Sequence, residues 1–178
     1  IAAMSLDCNA MYLATASEKG TIIRVFDVAT GTRLQEFRRG VDQADIYSLV
    51  FNDGGEWLAV SSDKGTVHIF GICTPYGANR EEPPRRLNSK SSFQRFSRVL
   101  PAYFSSEWSL AQFRVPDYRC IAVFGNEPNT VVVLCANGAY HKALFDPTNG
   151  GEMVSTEVFR FDDAASGDLP LGTNEDVH

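Results

Sequence analysis

Long apolar runs are missing from these 178 residues: the longest, Val131-Val132-Val133-Leu134-Cys135-Ala136, has six. A bilayer-spanning helix needs about 20, so none is expected. Metal-ligand spacing is missing too. Cys8, Cys73, Cys120 and Cys135 form no Cys-x-x-Cys pair, and His68, His141 and His178 are scattered, so neither a zinc site nor a disulfide framework is indicated and the thiols are expected to be reduced. There is no Gly-x-Ser-x-Gly elbow, no phosphate loop ending in Lys-Ser or Lys-Thr, and no His-Glu-x-x-His. Catalytic residues, a metal and a cofactor are therefore not expected. Aspartates and glutamates are plentiful, but they fall mostly in turns, where backbone capping accounts for them.

Excess basic charge is also absent. The net charge of −6 lies in the stretch 152–178, which holds seven acidic residues against one basic, while residues 1–151 balance at fifteen of each. A diffuse nucleic-acid surface is excluded by that balance, and any anion site must be local. Residues 162–178 read as an acidic, disordered tail. Ile1 is not a Met, and the first six residues are too short for a secretory signal; the chain is expected to lack its true N-terminus.

What is present is a repeat. Leu13-Ala14-Thr15-Ala16-Ser17-Glu18-Lys19-Gly20-Thr21 returns 45 residues later as Leu58-Ala59-Val60-Ser61-Ser62-Asp63-Lys64-Gly65-Thr66, and Val25-Phe26 returns as Ile69-Phe70. A weaker third copy spans 121–134. Each copy has two β-branched or aromatic runs around a polar turn with Gly or Asn, the pattern of a hairpin. Flanking runs complete four strands: 1–7, 12–17, 21–28 and 33–37 in the first copy, 46–52, 57–62, 66–72 and 108–115 in the second. A four-strand unit repeating every 40 to 45 residues predicts an all-β, WD-repeat-like β-propeller. About three blades are present, over 1–40, 41–118 and 119–161, fewer than a closed ring needs.

The second-to-third spacing is 63, so an insertion occupies 73–107. Its first part is rich in Pro and polar residues and reads as a loop. Its second part carries Phe93, Phe96, Val99 and Leu100 at helical spacing, interleaved with Arg95 and Arg98 and followed by Tyr103-Phe104. Aromatic and aliphatic residues among cations suit the headgroup boundary of an anionic membrane. The alternative is a short helix packed on the propeller.

Between the first two copies stands Phe37-Arg38-Arg39-Gly40. Adjacent arginines on a strand point to opposite faces, so they suit two ligands in neighbouring blades. Guanidinium forks grip phosphate bidentately, and Gly40 would let the backbone turn sharply or approach an anion. Alternatively, both arginines are solvated charges guarding an edge strand. The repeated turns favour phosphate: Ser17, Gly20, Thr21 and Arg24 are matched by Ser62, Gly65, Thr66 and His68, giving hydroxyls, a small residue and a cation beside each arginine.

In these motifs the chain resembles the PROPPINs, WD-repeat proteins that interact with phosphoinositides. Phe-Arg-Arg-Gly matches fully, both turns are similar, and the segments 103–109 and 124–129 extend the likeness over about residues 1–161, closer to types three and four. The resemblance implies the fifth, sixth and seventh blades of a seven-bladed propeller that binds phosphatidylinositol 3-phosphate and phosphatidylinositol 3,5-bisphosphate. It implies one site at Thr15, Ser17, Gly20, Thr21, Arg24 and Arg38, and a second at Arg39, Gly40, Ser62, Thr66 and His68. It also implies a membrane-entering insertion at 73–107. The implied function is a non-enzymatic peripheral adaptor in autophagosome formation, cytoplasmic and recruited to phagophore, endosomal or vacuolar membranes with other autophagy proteins. The alternative function is a WD-repeat scaffold that binds only proteins.

Overall fold

The computed structural model describes residues 1–73, 107–116 and 119–161. Phe93, Phe96, Val99, Leu100, Tyr103 and Phe104 lie outside the described residues, as does the stretch beyond 161.

Three sheets form in chain order. The first is built from β1 (Ala3–Leu6), β2 (Tyr12–Ala16), β3 (Ile22–Asp27) and β4 (Arg33–Arg38), joined in sequence order and completed by β8 (Glu107–Trp108). The second contains β5 (Ile46–Phe51), β6 (Trp57–Ser62), β7 (Thr66–Gly71) and β9 (Ala111–Arg114), with β13 (Gly151–Glu152) at its outer edge. The third contains β10 (Cys120–Phe124), β11 (Thr130–Cys135), β12 (Ala139–Leu144) and β14 (Val154–Arg160). This is an all-β, incomplete propeller of three blades.

The stretch 108–115, expected as one strand, divides between two sheets. Glu107–Trp108 pairs in parallel with Phe37 and Arg38, whereas Ala111–Arg114 pairs antiparallel with β7. The break falls at Leu110, whose side chain enters the core and whose N–H donates to the Ile69 carbonyl at 2.8 Å. Glu152 repeats the device by pairing in parallel with Gln112, so both first sheets have their outer edge covered by a later segment.

Side-chain alternation explains how the sheets stack. In β6, Leu58 and Val60 join a cluster with Ile23, Val25, Phe37 and Phe70, while Trp57 and Ala59 join another with Phe113, Val131 and Phe145. Every residue of β6 is buried, because the middle sheet has a neighbour on each face. Phe37 stacks on Phe70 with centroids 4.8 Å apart, fixing the first sheet on the second. Met4 and Leu6 on the first sheet and Ile121, Val123, Val154 and Val158 on the third are exposed. Buried aspartates cap turns: Asp7 Oδ1 accepts from Tyr12 N at 2.7 Å, and Asp27 Oδ1 accepts from Thr30 N at 2.8 Å.

Candidate functional site

The two matched turns adopt the same backbone path. Gly20 N donates to the Ser17 carbonyl at 2.8 Å and Gly65 N to the Ser62 carbonyl at 3.2 Å, with φ of 63° and 66° at the two glycines. Left-handed φ explains glycine at both positions. Gly20 has a second reason: a Cβ there would collide with the Ala44 carbonyl oxygen. Gly40 is different. Its φ is outside the left-handed range and a Cβ there would meet nothing within 4 Å, so no sharp turn requires glycine, although the backbone is open to approach.

Neither Arg38 nor Arg39 is a solvated edge charge; they are 6% and 5% exposed. Arg38 ends β4 opposite Ile22 and Trp108. Arg39 lies one residue beyond, where its N–H donates to the Thr21 carbonyl at 3.0 Å. Its guanidinium turns toward the second sheet, with Nε donating to the Gly20 carbonyl at 2.8 Å and Nη2 to the Asp42 carbonyl. Burial pulls the Arg39 pKa below its ordinary value, opposed by the nearby carboxylates Asp63 and Asp42.

Around the first turn, register aligns Thr15, Arg24 and Glu36 across three strands. Arg24 Nε meets Glu36 Oε2 at 2.9 Å, and Arg33 reaches the same oxygen at 3.2 Å. The cation expected for a ligand therefore has an internal carboxylate partner. Ser17 Oγ accepts from Ile22 N at 3.3 Å, a local role, and Thr15 is buried.

Around the second turn, His68 is buried and its Nδ1 lies 3.1 Å from Ser109 Oγ. Burial pushes its pKa down to about 4, and the positive charges of Arg39 and Arg114 push the same way. The imidazole is neutral at pH 7, with two guanidinium groups nearby. Register pairs Thr66 with Arg114 and His68 with Gln112, and Gln112 with Glu152 beyond it, so these side chains share one sheet face. Ser109, Gln112, Arg114, Asn149 and Glu152 line a cleft of about 670 Å³. Ser62 is fully buried, its Oγ accepting from Lys64 N at 3.4 Å, so it shapes the turn.

Ser109, Gln112 and Arg114 were not singled out in the sequence. The signal that could have found Gln112 and Arg114 is strand alternation: placing 111–114 beside 66–69 puts both on the face of Thr66 and His68. Among the described residues, no group of three or more His, Cys, Asp or Glu could hold a metal ion, and no helix is long and apolar enough to cross a membrane.

The PROPPIN family model matches residues 1–160. Autophagy-related protein 18e of Arabidopsis thaliana is 42% identical over 160 residues, covering 88% of this chain and 40% of that protein. Mouse WD repeat domain phosphoinositide-interacting protein 2 is 34% identical over 199 residues, covering 97% of this chain and 43% of that protein. The chain thus spans less than half the length of either relative. Among solved structures, Kluyveromyces lactis Hsv2 superposes with a TM-score of 0.63 at 25% identity, covering 88% of this chain and 47% of that one. KlAtg21, solved in complex with the coiled-coil of AgAtg16, gives 0.61 at 25% identity over 89% of this chain and 41% of that one. With the repeat, the three stacked blades and the Phe37-Arg38-Arg39-Gly40 junction in agreement, the chain belongs to the PROPPIN family.

Proposed function

We propose that the chain forms the phosphoinositide-reading part of a non-enzymatic peripheral membrane adaptor in autophagosome formation. Its ligands are phosphatidylinositol 3-phosphate and phosphatidylinositol 3,5-bisphosphate, and its place is the cytoplasmic face of phagophore, endosomal or vacuolar membranes. The three sheets correspond in this reading to blades five, six and seven, and its partners are other autophagy proteins.

The observation that carries the reading is the junction of the first two sheets, where buried Arg39 and His68 stand near Arg114 and the hydroxyl of Ser109. Two guanidinium charges near one uncharged imidazole favour an anion, and hydroxyl and amide groups supply further donors. Arg39 is anchored by two carbonyls, yet a guanidinium has five N–H donors, so the fold can position it and leave donors for phosphate oxygens. Phe93, Phe96, Val99, Leu100, Tyr103 and Phe104 are proposed on sequence alone to enter the membrane.

A second reading has its own support. The Arg24–Glu36 pair and the carbonyl partners of Arg39 are what a protein-binding scaffold without lipid affinity would show. Liposome flotation separates the two. Arg38→Thr with Arg39→Thr should abolish recruitment of the full protein to vesicles containing phosphatidylinositol 3-phosphate; unchanged flotation would leave the scaffold as the function.

A further inference from the structure

The β10–β11 hairpin sets Cys120 directly opposite Cys135. The backbone shows which class of antiparallel pair they form. Ala136 N donates to the Arg119 carbonyl at 2.8 Å and Gly125 N to the Thr130 carbonyl at 2.9 Å, so the odd-numbered residues of β10 are bonded to β11. The even-numbered ones turn their polar groups the other way. The Cys120 carbonyl accepts from Ser61 Oγ at 2.8 Å, and Ala122 N donates to Ser48 Oγ at 3.0 Å, both on the second sheet. On the other strand, the Cys135 carbonyl accepts from Gly138 N at 3.0 Å.

Cys120 and Cys135 are therefore a non-hydrogen-bonded pair. In that class the Cα atoms sit about 4.5 Å apart and the two side chains share a face at their closest approach. This falls within the Cα separation of about 4.4–6.8 Å that a disulfide spans without moving the backbone. Both side chains are buried in the core between the second and third sheets. Both residues border an open cleft of about 570 Å³ together with Tyr47, Arg119, Ile121 and Leu134, and Cys135 is 8% exposed.

We propose that Cys120 and Cys135 are a peroxide-sensitive thiol pair that closes into an intrachain disulfide. One thiolate attacks a peroxide oxygen; the O–O bond breaks, hydroxide leaves as water, and that sulfur becomes a sulfenic acid. The second thiolate attacks the sulfenic sulfur, forming the S–S bond and releasing a second water. Two thiols and one hydrogen peroxide thus give one disulfide and two waters, with sulfur oxidised and peroxide oxygen reduced. The bond fastens β10 to β11 where β10 leans on the second sheet, and it is independent of the lipid reading.

The test is brief exposure of the native full chain to hydrogen peroxide, followed by thiol alkylation and tryptic mapping. Cleavage after Arg119 and Lys142 leaves both cysteines in one peptide. That peptide should be lighter by two hydrogens and lose alkylation at both positions together, and dithiothreitol should restore both. Cys135→Ser should abolish the two-hydrogen loss in that peptide after the same exposure. The proposal is overturned if both cysteines stay alkylatable after exposure of the native chain, or if they acquire oxygen without cross-linking.

Discussion

The turn of the first blade and the turn of the second follow the same sequence pattern and the same backbone, yet they offer a ligand different chemistry. Ser17–Thr21 leads into Arg24, whose charge is met by Glu36 on the next strand. Ser62–Thr66 leads into His68, whose neighbours are Arg39 and Arg114 and whose next-strand partner is the amide Gln112. The repeat copies the hairpin, while the strand added beside it sets the charge. β4 contributes a carboxylate to the first blade, and β9 contributes a guanidinium to the second.

The largest test of this contrast is to remove the shared junction. Each charge-assisted phosphate contact contributes about 1.5–3 kcal/mol, so losing Arg38 and Arg39 together should weaken headgroup binding by roughly 3–6 kcal/mol. Single replacements read by flotation should leave partial binding if the turns are two linked weak sites. Equal and complete loss from either one would make them a single site.

Next in size is Gly20→Ala. A Cβ at Gly20 meets both a left-handed φ and the Ala44 carbonyl, whereas Gly31 has φ of 68° with nothing within 4 Å. Denaturant unfolding should show a cost of about 2–4 kcal/mol for Gly20→Ala and about 1 kcal/mol for Gly31→Ala. Equal costs would mean that the turn relaxes away from Ala44.

His68 makes the second blade sensitive to acid. Its folded pKa of about 4 lies below the ordinary 6.5, so between those values the unfolded chain binds a proton that the native chain refuses. Stability from this residue is complete above about pH 6.5 and is lost as pH falls toward 4, by at most about 3 kcal/mol. Urea titrations across that window should show the slope flatten in His68→Gln. An unchanged slope would assign the acid sensitivity to other groups.

Arg114→Gln should weaken binding to phosphatidylinositol 3-phosphate vesicles by about 1.5–3 kcal/mol and leave thermal stability nearly unchanged, because the side chain is exposed. Wild-type binding in that variant would confine the second site to the sheet junction. The smallest expected effect is that of Glu36→Gln. A half-buried surface ion pair contributes about 1 kcal/mol, so stability should change little, while the released Arg24 should raise binding at the first turn. Unchanged binding would argue that Arg24 serves only the fold.

Much of the architecture was legible because its signals are local. Turn glycines, alternating β-branched residues and a 45-residue offset specify hairpins whatever surrounds them, and they led to three four-stranded units. The division of 108–115 was not legible, because Trp108 and Ala111 look alike as strand residues. Only an open edge beside β4 separates them. Arg114, Gln112 and Ser109 were missed for the same reason: they come after a long insertion, and their proximity to His68 exists only through pairing between distant strands.

By itself, then, the sequence determined the hairpins, the repeat, the glycines that need left-handed φ and the residue types gathered at the arginine junction. Tertiary structure alone decided which charges meet. Arg24 faces Glu36, His68 comes near Arg39 and Arg114, and Cys120 faces Cys135. Backbone propensity and turn chemistry act over a few residues and can be read along the chain. Electrostatic pairing and thiol proximity depend on distances of a few ångströms across strands and sheets, and those distances exist only once the blades have stacked.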